Sequence, residues 1–169
     1  MLIAPPEALV SLFAPWAKLF SHSKVVPTIV TFLHIAPVIV GGGFAISLDR
    51  ATLRAVRGTP DERRLHLGHL GMSHRTVVAA LTLSLVSGLA LLTADLETFL
   101  GSRIYWAKMS LVVLLLANGW LITRTEQRLG AAGEQGGADL WGRLRVLAMA
   151  SLFLWLAISF AGVALVNAG

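Results

Sequence analysis

VVPTIVTFLHIAPVIVGGGFAISL, residues 25–48, runs for 24 residues with one histidine, His34, and no charged side chain. About 20 consecutive apolar residues suffice to cross a bilayer as a helix. Three further stretches of similar character follow at 76–94, 104–122 and 146–166. The second and fourth of the set carry no charge, and the third carries only Lys108. In hydrocarbon every backbone N–H and C=O must be satisfied within the segment, which selects helices over open strands. The expected fold is all-α: a four-helix transmembrane bundle formed by residues 25–169.

Composition agrees. The chain is 56% hydrophobic over 169 residues, with a mean hydropathy of +0.74. It has no cysteine, which excludes disulfides, iron–sulfur clusters and thiolate ligands. The net charge of +5 comes largely from arginines flanking the apolar stretches, so it speaks for membrane orientation and against nucleic-acid binding. Arg50, Arg54, Arg57, Arg63, Arg64 and Arg75 follow the first stretch, and Arg124, Arg128, Arg143 and Arg145 follow the third. The short connection 95–103 between the second and third stretches holds only Arg103, with Asp95 and Glu97. The arginine bias predicts a multi-pass membrane protein with the first and third connections in the cytoplasm and both termini outside.

Residues 1–24 read as an N-terminal interfacial segment. They are apolar but broken by Pro5, Pro6 and Pro15, and lack a basic region ahead of the apolar residues. An interfacial helix over 7–20, anchored by Trp16, is expected there. Residues 61–74 should extend the second helix, with Thr59 or Asp61 near its N-cap and Pro60 in its first turn. The glycine-rich stretch 130–137 reads as a loop.

Chemistry is expected where ionisable groups enter the apolar stretches, because a charge there costs at least about 2.5–3.5 kcal/mol. His34 lies about ten residues into the first stretch, roughly 13–15 Å from its outer end. Gly41 follows seven residues later on the same helical face and admits close approach of a flat ligand or of another helix. A neutral histidine on a glycine-bearing stripe suits an axial ligand of b-type heme, and equally an interhelical hydrogen bond. Lys108 suits a partner for a carboxylate such as a heme propionate, or an interfacial anchor beside Tyr105 and Trp106. The iron would be five-coordinate, use Met109, or be shared between protomers of a homo-oligomer. His66, His69 and Met72 offer imidazole and thioether to copper as an alternative. His74, level with Met149, is a candidate ligand for a second heme near the inner face. Asn118 is expected to hydrogen-bond another helix, and Ser84 with Gly88 to form a close-packing face.

The segments FLHIAPVIVGGG (32–43), DERRL (61–65), SGLALL (87–92) and YWAKMSLVVLLLANGW (105–120) stand in the order found in one superfamily of small bacterial membrane proteins. Over residues 25–122 the chain resembles the membrane domain of copper-resistance D proteins and the J-type protoporphyrinogen oxidases. In the oxidases a histidine of an early helix and a lysine of a later helix form the functional pair; His34 and Lys108 match them. Where the oxidases carry a further histidine, this chain reads Ala117-Asn118-Gly119. The resemblance implies a heme b protein of electron transfer or porphyrin oxidation. The alternatives are a copper-handling membrane protein and a structural subunit of a larger membrane complex, with the lipid bilayer and a redox partner as the expected partners.

The arginine asymmetry generates a topology test. A cysteine placed at Glu97 should react with an impermeant thiol reagent added outside intact cells, and one placed at Gly133 should not. The reverse labelling pattern would invert the orientation.

Overall fold

The computed structural model describes residues 5–132 and 137–167, without the side chains of 69–74. Six helices account for nearly all of them: α1 (Glu7–His22), α2 (Val25–Arg57), α3 (Pro60–Ala94), α4 (Leu96–Gly101), α5 (Arg103–Ala132) and α6 (Ala138–Asn167). Four helices are long and apolar enough to cross a membrane. No strand occurs among the described residues.

The helices outrun the apolar stretches that announce them. Residues 49–57, read from their arginines as connection, complete α2, and the link to α3 shrinks to Gly58 and Thr59. Thr59 is the N-cap: its hydroxyl accepts from the Glu62 N–H while the Glu62 carboxylate accepts from the Thr59 N–H, with Pro60 in the first turn. Residues 130–132, expected as the start of a glycine-rich loop, are helical and close α5; residues 133–136 lie outside the described set. The short connection 95–103 is itself helical, as α4, capped by the Asp95 carboxylate accepting from the Thr98 N–H.

Packing follows from three adjacent glycines. A Cβ on Gly41 would stand 2.6 Å from the Ala80 Cβ of α3, and one on Gly42 would stand 3.1 Å from the Trp155 ring of α6. One on Gly43 would meet nothing within 4 Å. Successive residues point about 100° apart on a helix, so one Gly-Gly pair lets α2 lie close to two neighbours at once. α2 packs on α3 and α6, and α5 packs on α6. The α2–α3 and α5–α6 pairs are antiparallel: His34 meets Ser84 while Thr52 meets His66, and Lys108 meets Gly162 while Asn118 meets Leu147.

Two apolar clusters fill the interior. Ala45, Leu115, Leu154, Trp155 and Ile158 join α2, α5 and α6 in the middle. Ala55, Ile122, Leu129, Trp141 and Leu144 join the same helices nearer the C-terminal end of α2. Arg63 closes that end: its guanidinium donates to the Val56 carbonyl (2.7 Å) and the Ala55 carbonyl (3.3 Å) and stacks over Trp141. A cation there meets the negative end of the helix dipole. On the outward faces, large apolar side chains such as Phe32, Phe153, Phe160 and Val163 remain exposed, a surface compatible with lipid contact.

The glycine pair makes a paired test. Gly41→Ala forces α2 away from Ala80, at a cost of about 1–3 kcal/mol for overpacking, whereas Gly43→Ala enters open space. The thermal midpoint of the purified protein in detergent should fall for Gly41→Ala and stay near the parent for Gly43→Ala. Equal midpoints would show that the α2–α3 seam does not depend on this glycine.

Candidate functional site

Pro37 sets the local geometry around His34. Proline has no N–H, so the carbonyl four residues back, that of Leu33, loses its helical donor. In an apolar setting that carbonyl needs another. The Ser87 hydroxyl of α3 lies 3.2 Å from it, and also within reach of the Leu83 carbonyl (2.8 Å) and the Ser84 carbonyl (3.1 Å) of its own helix. The Ser84 hydroxyl lies 3.4 Å from the His34 carbonyl. Two serines one turn apart thus face the proline-weakened turn of α2.

The imidazole turns toward the same serines. Its Nδ1 lies 2.9 Å from the Ser84 carbonyl oxygen and 3.3 Å from the Ser87 hydroxyl. A carbonyl only accepts, so Nδ1 carries the proton and Nε2 of the neutral ring keeps its lone pair. Among the described residues Nε2 has no hydrogen-bond partner. Gly88 makes room for the ring: a Cβ there would stand 3.0 Å from the His34 Cε1. An imidazole whose Nδ1–H is held by a backbone carbonyl, leaving Nε2 as donor atom, is the usual arrangement of a metal-binding histidine.

Lys108 of α5 joins this site. Its ammonium lies against Gly162 of α6, 3.6 Å from where a Cβ would stand. It is within electrostatic reach of His34. Lys108 is half-buried and turned into the helices, while the neighbouring aromatic residues occupy themselves otherwise: Trp106 donates to the Leu100 carbonyl and Tyr105 packs on Phe99 and Trp106. Among the described residues the ammonium has no hydrogen-bond or ion-pair partner. Trp16 of α1 donates to the Ala90 carbonyl (2.9 Å), one turn along α3 from Ser87, so α1 is tied down beside the site.

The remaining sequence candidates distribute as follows. Gly41 takes the helix-packing use, with Ala80 filling the space beside it. Asn118 donates to the Leu147 carbonyl of α6 (3.0 Å). His66 shares a hydrogen bond with Thr52 of α2 (2.9 Å). The side chains of His69, Met72 and His74, on which the copper reading and the second-heme reading depend, lie outside the described residues. Among the described residues no three His, Asp or Glu side chains gather in a metal cluster.

Two residues went unread in the sequence. Asp49 and Glu126 were assigned to connections, yet they are only 6% and 8% exposed. The signal was periodicity rather than hydropathy: the buried positions of α5 run Leu115, Asn118, Ile122, Thr125, Glu126 and Leu129, one helical stripe that continues past the end of the apolar stretch. The buried positions of α2 likewise run on through Ala45, Asp49, Thr52 and Ala55. Compared with family models, curated proteins and solved structures, the chain finds no match.

Proposed function

We propose that the chain is a multi-pass membrane protein that binds b-type heme between α2, α3 and α5. In this reading α2, α3, α5 and α6 form a transmembrane bundle, α1 lies at the outer interface, and both termini face outward from a bacterial inner membrane. The observation that carries the proposal is an imidazole with a free Nε2 that lies within electrostatic reach of a half-buried, unpartnered ammonium. A lysine without a counter-charge in an apolar setting is costly unless an anion joins it. A purely structural His–Ser contact gives no reason to keep Lys108 there.

The residues fit one axial ligand and one carboxylate contact. His34 would hold the iron through Nε2, with its orientation fixed by the Ser84 carbonyl. Lys108 would pair with a propionate. Heme, when bound, supplies one-electron redox chemistry suited to electron transfer or to porphyrin oxidation. What the chain contributes is ligand identity, a fixed imidazole tautomer, a low-dielectric surround and a balancing positive charge.

The absorbance spectrum of the protein purified in detergent tests this. A Soret band with α and β peaks on reduction is expected, and His34→Ala should lose it while His66→Ala keeps it. An unchanged band in His34→Ala would end the assignment, and a colourless parent would favour a structural subunit.

Lys108 is tested separately. Lys108→Met keeps the length and the apolar stem but removes the charge. A hydrogen bond to a charged group contributes about 1.5–3 kcal/mol, so heme retention should weaken roughly ten- to a hundredfold, with Lys108→Arg recovering part of it. Parental heme content in Lys108→Met at equal expression would make the lysine an interfacial anchor.

A further inference from the structure

The outward face of α5 changes character along its length. Its buried stripe runs through Leu115, Asn118, Ile122, Thr125 and Leu129. On the opposite side, at helical spacing, stand Val113, Leu116, Trp120, Arg124 and Arg128, all exposed. Val113 and Leu116 are apolar surface of the kind that faces acyl chains. Trp120 follows one turn on, then Arg124, then Arg128, each step about 6 Å along the axis. Arg124 lies about 32 Å from Arg103 at the start of the helix, just past the roughly 30 Å of a hydrocarbon core. Trp120 therefore stands at the boundary where tryptophan is favoured, and the two arginines stand in the headgroup layer.

The Arg124 guanidinium lies over the Trp120 ring, 4.1 Å from its centroid. Stacking occupies the face of the guanidinium and leaves its N–H donors, which lie in the plane of the group, open to an acceptor. Among the described residues neither Arg124 nor Arg128 has a hydrogen-bond or ion-pair partner. Glu126, the carboxylate between them in sequence, belongs to the buried side of the helix and is 8% exposed. Two arginines one turn apart, one of them held by an indole ring, thus present unused donors directly above an apolar stripe.

The paired N–H groups of a guanidinium match two oxygens of a phosphate. A zwitterionic headgroup would bring its own ammonium against two guanidiniums, so the charge selects an anionic one. A soluble phosphate would use the arginines but not the apolar surface that continues from them. We propose that Trp120, Arg124 and Arg128 bind the phosphate of an anionic phospholipid, whose acyl chain lies along Leu116 and Val113. This use of α5 requires the helix to span a bilayer and is independent of heme.

The full chain, purified in a neutral detergent, is titrated with phosphatidylglycerol carrying brominated chains, which quench nearby tryptophan fluorescence. Saturable quenching is expected, at least tenfold tighter than with brominated phosphatidylcholine, and the quenched component should be missing in Trp120→Phe. Arg124→Gln should weaken binding at least tenfold and Arg128→Gln severalfold, while Arg124→Lys recovers part of it by keeping the charge without the fork. Arg54→Gln removes an equal charge from an exposed position of α2 at the same end and should bind as the parent does. Circular dichroism and gel filtration confirm that each variant is folded. Equal quenching by the two lipids, unchanged quenching in Trp120→Phe, or equal losses in Arg54→Gln and Arg124→Gln would overturn the proposal. So would displacement of the lipid by inorganic phosphate, or a lipid-independent dimer that Trp120→Phe abolishes. No heme absorbance enters the measurement, so a colourless protein leaves the test intact.

Discussion

The close approach of α2 to two neighbours governs the rest of this structure. Between apolar helices in lipid, association rests on van der Waals fit and a few interhelical hydrogen bonds, because the solvent is as apolar as the side chains. Gly41 and Gly42 bring the α2 backbone against Ala80 and Trp155. Once that seam is fixed, the antiparallel register places Ser84 and Ser87 opposite His34 and, at the other end, His66 opposite Thr52. The seam therefore positions polar groups that lie many residues from the glycines themselves.

Pro37 shows how a local defect becomes a useful feature. A proline inside a helix costs about 3 kcal/mol or more when nothing compensates. Here the Ser87 hydroxyl of α3 comes within 3.2 Å of the Leu33 carbonyl that lost its donor, while also within reach of the Leu83 carbonyl of its own helix. The serine that faces the weakened turn also stands beside the His34 ring. Substituting Ser87 by alanine would thus touch two things together, the carbonyl left open by Pro37 and the environment of the imidazole. Only a double-mutant cycle with Pro37 separates the two contributions.

Much of this was legible in the sequence, and the failures share a cause. Four apolar helices, the Thr59–Pro60 start of α3 and the interhelical bond of Asn118 follow from hydropathy, cap chemistry and the cost of polar groups in hydrocarbon. Hydropathy fails where a helix leaves the membrane without ending. The arginines after residue 49 lower the average, so Asp49 and Glu126 fell into supposed connections although each continues a buried stripe. The tautomer of His34 was not legible at all, since it depends on a carbonyl fifty residues away that only the α2–α3 register brings within 2.9 Å.

The two polar places are opposite in sign and separated by an apolar cluster. Near His34 the unpartnered group is a cation, Lys108; at the other end it is a carboxylate oxygen of Asp49. Between them lie Ala45, Leu115, Leu154, Trp155 and Ile158, none of which carries a group that could relay a proton. Groups this far apart with no shared partner contribute additively to stability, within about 0.3–0.5 kcal/mol. Any influence of one place on the other must then pass through the rigid-body positions of the helices that reach both, among them α2 with His34 and Asp49 and α5 with Lys108 and Glu126. A change in how α2 packs on α6 would move His34 and Asp49 together, whereas a change in either side chain alone would not. Gly42 against Trp155 is one contact at which such coupling would act, because the α2–α6 separation is set there and neither polar place touches it.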